Sequence, residues 1–424
     1  MKLNAKTYQA THESGNAANI SLEQQLRRSV LSCLLWENEF YEDGKTVSDR
    51  IVQLCSDVPA KTVYDLAVEA RTKYNLRHAP LLLLSAKPNA EAIYSSINRV
   101  DEITELLAIY WRNGKKPIPA QMKKGLAKAF TKFDAYQLAK YNRDGAIKLR
   151  DVLFMVHPKP TTPEQETLWK TLVDGSLAAP DTWEVALSSG ADKKETFERL
   201  LKEGNMGYLA LLRNLRNMVQ SGVDDQLVIN ALEARKGADR VLPFRFIAAA
   251  KHAPQYEPYL DSAMIKSIEG LPKLSGKTVV LVDVSGSMDC ALSGKSDMSR
   301  IDAAAALGAI VQSDSLRVFT FSQKLVEVPP RKGMAGVDAI KKSQPHSGTY
   351  LAGALQTVNK MDYDRIIVIT DEQSNDGVID PRQGSKGYMI NVASNKNGVG
   401  YGRWNHIDGF SENVLRWIYE SEGR

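Results

Sequence analysis

The pattern of apolar residues changes near residue 270, and this change limits the possible folds more than any other feature of the chain. Before it, apolar residues recur every three or four positions, the spacing of one face of an α-helix. After it, runs of β-branched residues alternate with helical stretches, the pattern of a parallel sheet covered by helices. We therefore predict two domains, residues 1–270 and 276–424, joined by a short Gly- and Pro-containing linker.

The first domain is predicted to be helical throughout. Thr162 followed by Pro163 has the form of a helix N-cap and a first helical residue, and Asp224 stands at another helix start. Short breaks separate segments of ordinary helix length. Many helices joined by short turns predict antiparallel pairs stacked into an α-solenoid or a ring.

The second domain is predicted to be a doubly wound α/β fold. The expected strands are residues 278–283, 316–321, 365–370 and 387–392. The expected helices are residues 300–311, 350–361 and 411–419.

Oxygen-bearing side chains stand at the ends of these predicted elements. Asp283, Ser285 and Ser287 come directly after the first strand, Thr349 precedes a helix, and Asp371 follows the third strand. Because the carboxyl ends of parallel strands share one edge of a sheet, we expect all five side chains to meet there. Carboxylates and hydroxyls without His or Cys favour a hard divalent cation, expected to be Mg²⁺, over zinc.

Residues 112–150 concentrate the positive charge, with eleven basic and two acidic residues against a net charge of +5 for the whole chain. Lys124, Lys128 and Lys132 recur every four positions and form one stripe on a helix. The apolar residues of the same stretch are expected to face the core: Met122, Leu126, Ala129, Phe130 and Phe133. A row of lysines with nearby tyrosines could bind the phosphates of a nucleic acid and stack on its bases. A helix face that is simply exposed to solvent has the same pattern.

Four other residues stand where a ligand contact and a structural role are both open. Arg213 and Arg216 lie on adjacent faces of an apolar helix, and Arg245 lies inside an apolar stretch. Arginine in such a setting either pairs with an acid or reaches a ligand. His157 follows a predicted helix, where capping or packing is the common role of a lone histidine.

Several segments together resemble the Ro autoantigen family, in which a TROVE domain precedes a von Willebrand A domain. They are residues 139–145, 151–153, 157–160, 210–218 and 242–244. The five oxygen-bearing residues are similar to the complete metal-ion-dependent adhesion site of von Willebrand A domains.

The resemblance implies a ring of HEAT-like helical repeats followed by the α/β domain. It implies that a basic outer face binds small noncoding, Y-like RNA and that the ring accepts single-stranded ends of misfolded RNA. By matching position, Lys140, Arg143 and His157 would contact RNA. The full set of predicted RNA-binding residues is Lys124, Lys128, Lys132, Lys140, Arg143, His157, Arg213 and Arg216. An exoribonuclease or another protein would use the metal site.

Other features exclude several classes of protein. Three widely separated cysteines argue against a disulfide framework or a zinc ribbon, and the first residues lack the apolar core of a secretory signal. We therefore expect a cytoplasmic protein. A clustered catalytic set and a phosphate-binding Gly-Lys loop are both missing, which argues against an enzyme. The alternative to an RNA-binding protein is a metal-dependent protein-adhesion scaffold without RNA function.

Overall fold

The computed structural model describes residues 21–31, 44–73, 76–142, 145–238, 241, 243–271, 273–292, 297–393, 399, 402–408 and 413–422. These residues form two compact units that divide mainly between Ser189 and Gly190; Ser21 and Gly44 are grouped with the second unit. We call them the N-terminal unit and the C-terminal unit. Arg143, one of the predicted RNA contacts, lies outside the described residues.

The described part of the N-terminal unit is built from helices. They are α1 (Leu22–Leu31), α2 (Gly44–Asp57), α3 (Ala60–Thr72), α4 (His78–Ala86), α5 (Ala90–Ser96), α6 (Asp101–Tyr110), α7 (Ala120–Phe130), α8 (Ala135–Tyr141), α9 (Leu149–Val156), α10 (Pro163–Asp174) and α11 (Trp183–Ser188). The hydroxyl of Thr162 accepts a hydrogen bond from the Gln165 backbone N at 3.2 Å, with Pro163 at the first helical position. The predicted start of α10 is therefore confirmed.

Helix α7 packs closely against α5. A Cβ atom added to Gly125 would lie only 2.7 Å from Cβ of Ile93. The two helices can pack this closely because glycine has no side chain. The apolar residues predicted to face the core are all buried, which confirms that prediction: Met122, Leu126, Ala129, Phe130 and Phe133. Lys124 and Lys128 lie on the other side of the same helix, whereas Lys132, predicted to continue the stripe on the helix, lies in the turn after its end at Phe130.

The C-terminal unit begins with five helices and continues into a sheet with helices between its strands. The five helices are α12 (Lys193–Lys202), α13 (Tyr208–Ser221), α14 (Asp225–Ala234), α15 (Phe244–His252) and α16 (Glu257–Glu269). The later elements are β1 (Leu274–Asp283), α17 (Arg300–Ile310), β2 (Ser313–Phe321), β3 (Leu325–Val328), α18 (Gly333–Lys341), α19 (Leu351–Val358), β4 (Arg365–Thr370), β5 (Lys386–Asn391), β6 (Asn405–Asp408) and α20 (Asn413–Glu422). Asp224 caps α14 as predicted, accepting from the Gln226 backbone N at 2.7 Å.

The six strands form one sheet in the order β3-β2-β1-β4-β5-β6. Strand β3 runs antiparallel to β2, and all the other neighbours are parallel. Every residue of β4 is buried, as expected for a strand covered on both faces. Because β1 and β4 are parallel neighbours, their carboxyl ends, at Asp283 and Thr370, lie side by side.

The mostly helical chain with a C-terminal doubly wound α/β fold matches the predicted fold class. The four predicted strands are present within four residues of their expected bounds, but prediction omitted β3, β6 and α18. Strands β3 and β6 have only four residues each, and β3 is a partly exposed edge strand, so their apolar runs are short. Helix α18 begins at Gly333 and contains Gly336, and glycine is a poor helix former.

Helices α15 and α16 pack against the helices of the sheet region. The backbone N of Met334, at the start of α18, donates to the Asp261 carboxylate at 2.8 Å. Lys251 on α15 forms an ion pair with Asp302 on α17. Secondary structure therefore changes near residue 270, whereas the packing divides at residue 190. Among the helices described, none is both long enough and apolar enough to cross a bilayer.

Candidate metal centre and nucleic-acid interface

The loop after β1 brings three of the predicted metal ligands together. The Asp283 carboxylate accepts a hydrogen bond from the Ser285 backbone N at 2.9 Å, and the Ser285 and Ser287 hydroxyl oxygens are 3.3 Å apart. The backbone N of Gly286 donates to the Ser347 carbonyl at 2.8 Å, which holds this loop against the segment before α19. That segment carries the fourth predicted ligand.

Thr349 and Asp371 reach the same edge of the sheet from two other loops. The backbone N of Thr349 donates to Asn375 Oδ1 at 2.8 Å, which ties it to the loop after β4. The Thr370 hydroxyl donates to Asp283 Oδ2 at 2.6 Å and so joins the ends of β4 and β1. All five predicted ligands therefore lie at the carboxyl edge of these two strands.

The electrostatics of this edge favour a bound cation. Asp283 and Asp371 are both fully buried. Burial, together with the negative charge of Asp371, raises the pKa of Asp283 to about 7. Two buried carboxylates are unfavourable unless a cation offsets their charge. Two carboxylates with three hydroxyls form a hard-oxygen set that fits Mg²⁺. No group of three or more His, Cys, Asp and Glu side chains is placed to hold a metal within the described ranges, so the fit rests on this mixed set.

Arg300 lies beside these carboxylates, although sequence reasoning did not single it out. Its side chain is almost fully buried, and its Nη1 atom is 3.5 Å from Oδ2 of Asp371. Helix α17, which begins at Arg300, is buried along its whole length. The sequence signal for Arg300 is its position at the start of a strongly apolar helix, where a charged residue is expected to be buried. Buried charges are normally paired, so such a residue is a candidate partner for a carboxylate.

A second cluster of basic residues lines a cleft of about 340 Å³ in the C-terminal unit. We call it the arginine cleft and define it by Arg213 and Arg216 on α13, Arg245 and His252 on α15, and Asp297 before α17. The two arginines of α13 are three residues apart, so their side chains are neighbours on the surface of the helix. All three arginines are exposed to solvent.

The arginine cleft carries a net positive charge. Asp297 is the sole acid among its described lining residues, and its carboxylate lies 2.7 Å from Nε2 of His252. The Arg245 guanidinium lies 4.7 Å from the Phe244 ring centroid. Within the described chain, Arg213 and Arg216 have no hydrogen-bonding or ion-pair partner. Sequence reasoning named these two arginines and noted Arg245, but it missed His252.

The three lysines of the predicted stripe, two on α7 and one just after it, are only partly open to a ligand. Lys124 is exposed and makes no ion pair with a described residue. Lys128 pairs with Glu91 at 2.7 Å. Lys132 donates to two carbonyls at the end of α5, one of them that of Ile97 at 2.8 Å, and burial lowers the pKa of its ammonium group. Two of the three predicted lysines thus already have partners within the protein.

Lys140 lies beside aromatic residues at a broad groove. Its ammonium nitrogen is 5.9 Å from the ring centroids of both Tyr136 and Tyr141. The groove has a volume of about 970 Å³, and Trp183 on α11 lines it together with Lys140. Cationic and aromatic groups thus occur together here, as the sequence pattern predicted.

His157 caps the end of α9 through its backbone. Its N donates to the Leu153 carbonyl at 3.0 Å, and its φ of 48° lies in the left-handed region. A residue other than glycine is uncommon in this conformation. The imidazole is exposed, so the side chain is open to a ligand while the backbone ends the helix.

Comparison with known proteins gives matches along much of the chain. A family model described as the TROVE domain matches residues 174–269, and one described as the Ro60 vWA domain matches residues 277–395. Telomerase protein component 1 of Mus musculus is 34% identical over 91 residues, and that of Rattus norvegicus is 33% identical over 91 residues. Those alignments cover 20% of this chain and only 4% of each telomerase component.

The solved structures include a match to both units. The crystal structure of the Deinococcus radiodurans RO (RSR) protein aligns with a TM-score of 0.63 and 19% identity, covering 95% of this chain and 100% of that one. This likeness supports the fold, and the two family models follow each other in the order expected from the sequence. The chain therefore belongs to the Ro family, with a TROVE domain followed by a Ro60-type von Willebrand A domain.

Proposed function

We propose that this chain is a non-enzymatic RNA-binding protein that acts in RNA quality control or processing. Its ligands would be small noncoding, Y-like RNA and the single-stranded ends of misfolded RNA. The observation that carries the proposal is the arginine cleft, which gathers three exposed guanidinium groups and one imidazole. The arginines and His252 lie inside the part of the chain that matches the TROVE model.

The chemistry of the arginine cleft suits the RNA backbone. A guanidinium group offers two parallel N–H donors that match two phosphate oxygens, and it is always charged. Leu209, which is exposed, and Ala248, which is half-buried, also line the cleft and give it apolar surface. An unstacked base can rest on such surface or on a guanidinium plane while its phosphate binds the charges.

We assign a second RNA surface to the N-terminal unit. Its contributors would be Lys124, Lys140, Arg143 and His157. Lys140 and the neighbouring tyrosines support this assignment, because aromatic rings with cations suit single-stranded nucleic acid. Lys128 and Lys132 would contribute less, since contacts to RNA would compete with their bonds to Glu91 and to the carbonyls of α5.

We also assign a divalent cation, expected to be Mg²⁺, to the carboxyl edge of β1 and β4. Its ligands would be the five residues Asp283, Ser285, Ser287, Thr349 and Asp371. When bound, the cation supplies a coordination position for an acidic group of a protein partner, such as an exoribonuclease. The buried carboxylate pair supports this assignment.

Binding of labelled RNA across a salt series tests the RNA proposal. The probe is a fluorescein-labelled hairpin with a single-stranded 3′ tail, followed by fluorescence anisotropy. The double variant Arg213→Ala, Arg216→Ala should weaken binding by about 1 kcal/mol for each lost contact. It should also flatten the plot of log affinity against log salt by about 0.7 for each lost phosphate contact.

The matched control removes the same charge from α12. Lys193→Ala with Lys202→Ala takes away two exposed lysines of the C-terminal unit that lie outside the arginine cleft. This control should bind RNA almost as the parent protein does. Equal losses in both double variants would mean that net charge, and not the cleft, sets the affinity. Failure of the parent protein to bind at low salt would overturn the RNA proposal.

A further inference from the structure

We propose that the arginine cleft and the metal site are coupled, so that RNA and a divalent cation each strengthen the binding of the other. The coupling would pass through residues Asp297–Asp302, which we call the connecting segment. Its first residue lines the arginine cleft, and its Arg300 lies beside the metal-site carboxylate Asp371. This inference rests on the proposed RNA function and adds its regulation by the metal.

The cleft end of the connecting segment is held by α15. His252 pairs with the Asp297 carboxylate at 2.7 Å. The next residue toward the N-terminus, Lys251, donates to the Asp297 carbonyl at 3.2 Å and forms an ion pair with Asp302. A ligand that displaces the Asp297 carboxylate from His252 therefore acts directly on this segment.

The middle of the connecting segment is bonded to the chain that leaves the metal loop. The backbone N of Leu292 donates to the Met298 carbonyl at 2.7 Å, and the backbone N of Arg300 donates to the Cys290 carbonyl at 3.0 Å. An antiparallel bridge joins Ala291 to Ser299 between these two bonds. A displacement of either strand is thus passed to the other.

The buried end of the connecting segment places a cation at the metal site. The guanidinium of Arg300 lies 3.5 Å from Oδ2 of Asp371, and both side chains are almost fully buried. A divalent cation on Asp371 would both compete with Arg300 for this carboxylate and repel its charge. Metal binding must therefore shift or weaken the Arg300 contact.

These contacts determine the expected sign of the coupling. A phosphate in the cleft repels the Asp297 carboxylate and competes with it for His252, which loosens one end of the connecting segment. A divalent cation displaces Arg300 from Asp371, which loosens the other end. Each ligand removes a constraint that the other would have to overcome, so both bind more tightly together than alone.

Reciprocal titrations test the coupling on the full chain. The affinity for a fluorescein-labelled single-stranded RNA is measured in Mg²⁺ and in EDTA at equal ionic strength, and the affinity for Mn²⁺ is measured by calorimetry with and without RNA. We expect both affinities to rise by about fivefold or more, and by the same factor when Mn²⁺ replaces Mg²⁺ in the RNA titration. Asp283→Asn, which removes a metal ligand, reports how much of the Mg²⁺ effect arises on the RNA itself.

Two variants each remove one of the contacts at the two ends of the connecting segment. Arg300→Met removes the buried charge with little change of volume, and Asp297→Asn removes the carboxylate that pairs with His252. We expect each variant to bind RNA and Mn²⁺ with a coupling factor close to one. Asp297 is 70% exposed, so its variant remains informative if Arg300→Met does not fold.

The outcomes separate this inference from the function on which it rests. RNA binding that is tight but equal in Mg²⁺ and EDTA would overturn the coupling and leave the RNA proposal standing. A coupling factor unchanged in both variants would overturn the route through residues 297–302. Absence of RNA binding in either buffer would overturn the RNA proposal and the coupling with it.

Discussion

At the scale of single residues, the most informative side chains are charged groups placed where water cannot reach them. Asp283 and Asp371 share one buried edge of the sheet, and Arg300 is buried beside them. A buried charge is costly unless a neighbour of opposite charge offsets it. One guanidinium group can offset only one of the two carboxylates, which supports the divalent cation that we propose at this edge.

Replacing Asp283 with Asn should abolish divalent-metal binding. The amide keeps the shape of the side chain but loses the negative charge that a hard cation needs. Calorimetric titration with Mn²⁺ measures the loss. Asp289→Asn is the matched control, because this acid follows the same loop but is half-exposed and pairs with His346. Unchanged Mn²⁺ affinity in Asp283→Asn would place the metal elsewhere or rule it out.

His157 has two roles that substitution can test separately: its backbone ends α9, and its side chain is a proposed RNA contact. Replacement by Gly relieves the left-handed backbone conformation and should raise the free energy of unfolding by about 0.5–1 kcal/mol. The same change removes the imidazole and should weaken RNA binding. Urea denaturation and RNA titration measure the two effects. His157→Asn tolerates this conformation and serves as control, and a Gly variant that binds RNA normally would exclude His157 as a contact.

At the scale of elements, Asp302 joins three helices of the C-terminal unit. It lies in the first turn of α17, where its carboxylate accepts from the Ser299 backbone N at 2.9 Å. It also forms ion pairs with Lys251 of α15 and Lys341 of α18. Although burial opposes the charge, these bonds lower the pKa of the carboxyl to about 2. The helices that precede the sheet are held to it in part by this one charge.

Asp302→Asn should destabilise the C-terminal unit by about 2 kcal/mol at neutral pH. Because the pKa in the folded state is below its unfolded value of 3.8, the contribution is present above pH 4 and is lost as the pH falls toward 2. Urea denaturation at a series of pH values checks both size and direction. Asp338→Asn, which breaks an exposed pair with Lys342, should change stability by less than about 1 kcal/mol. A difference between wild type and Asp302→Asn that persists at pH 2 would contradict this account.

Features that depend on neighbouring residues in the chain could be predicted from the sequence, whereas features that depend on packing between distant segments could not. Four of the six strands could be predicted from their long apolar runs. The meeting of the five oxygen-bearing residues at one edge of the sheet could be predicted because each of them stands next to a strand or helix end in the chain itself. The arginine cleft was not, because it joins α13, α15 and residue 297 through packing between distant segments. The pairing of Lys132 with carbonyls of α5 was hidden for the same reason. Periodicity identifies the exposed face of a helix but not the neighbour that covers part of it.

At the scale of the whole molecule, the chain consists of two compact units, each with its own buried groups. The N-terminal unit contains a buried ion pair between Arg71 on α3 and Glu102 on α6, with the nearest atoms 2.8 Å apart. Glu102 also accepts from the backbone N atoms of Asn98 and Arg99 at 2.8 and 3.0 Å. Its carboxylate therefore satisfies one buried guanidinium and two backbone donors.

Removing this carboxylate tests whether the two units unfold separately. Glu102→Ala leaves the Arg71 guanidinium buried without its partner, which should cost about 3–5 kcal/mol in the N-terminal unit. Hydrogen exchange read by mass spectrometry should then show faster exchange in α4 and α6 and unchanged exchange in β4 of the C-terminal unit. Asp65→Ala, which removes an exposed pair with Lys61, should change neither. Equal loss of protection in β4 would mean that the units unfold as one body, and a variant in either unit would then weaken both the RNA surface and the metal site.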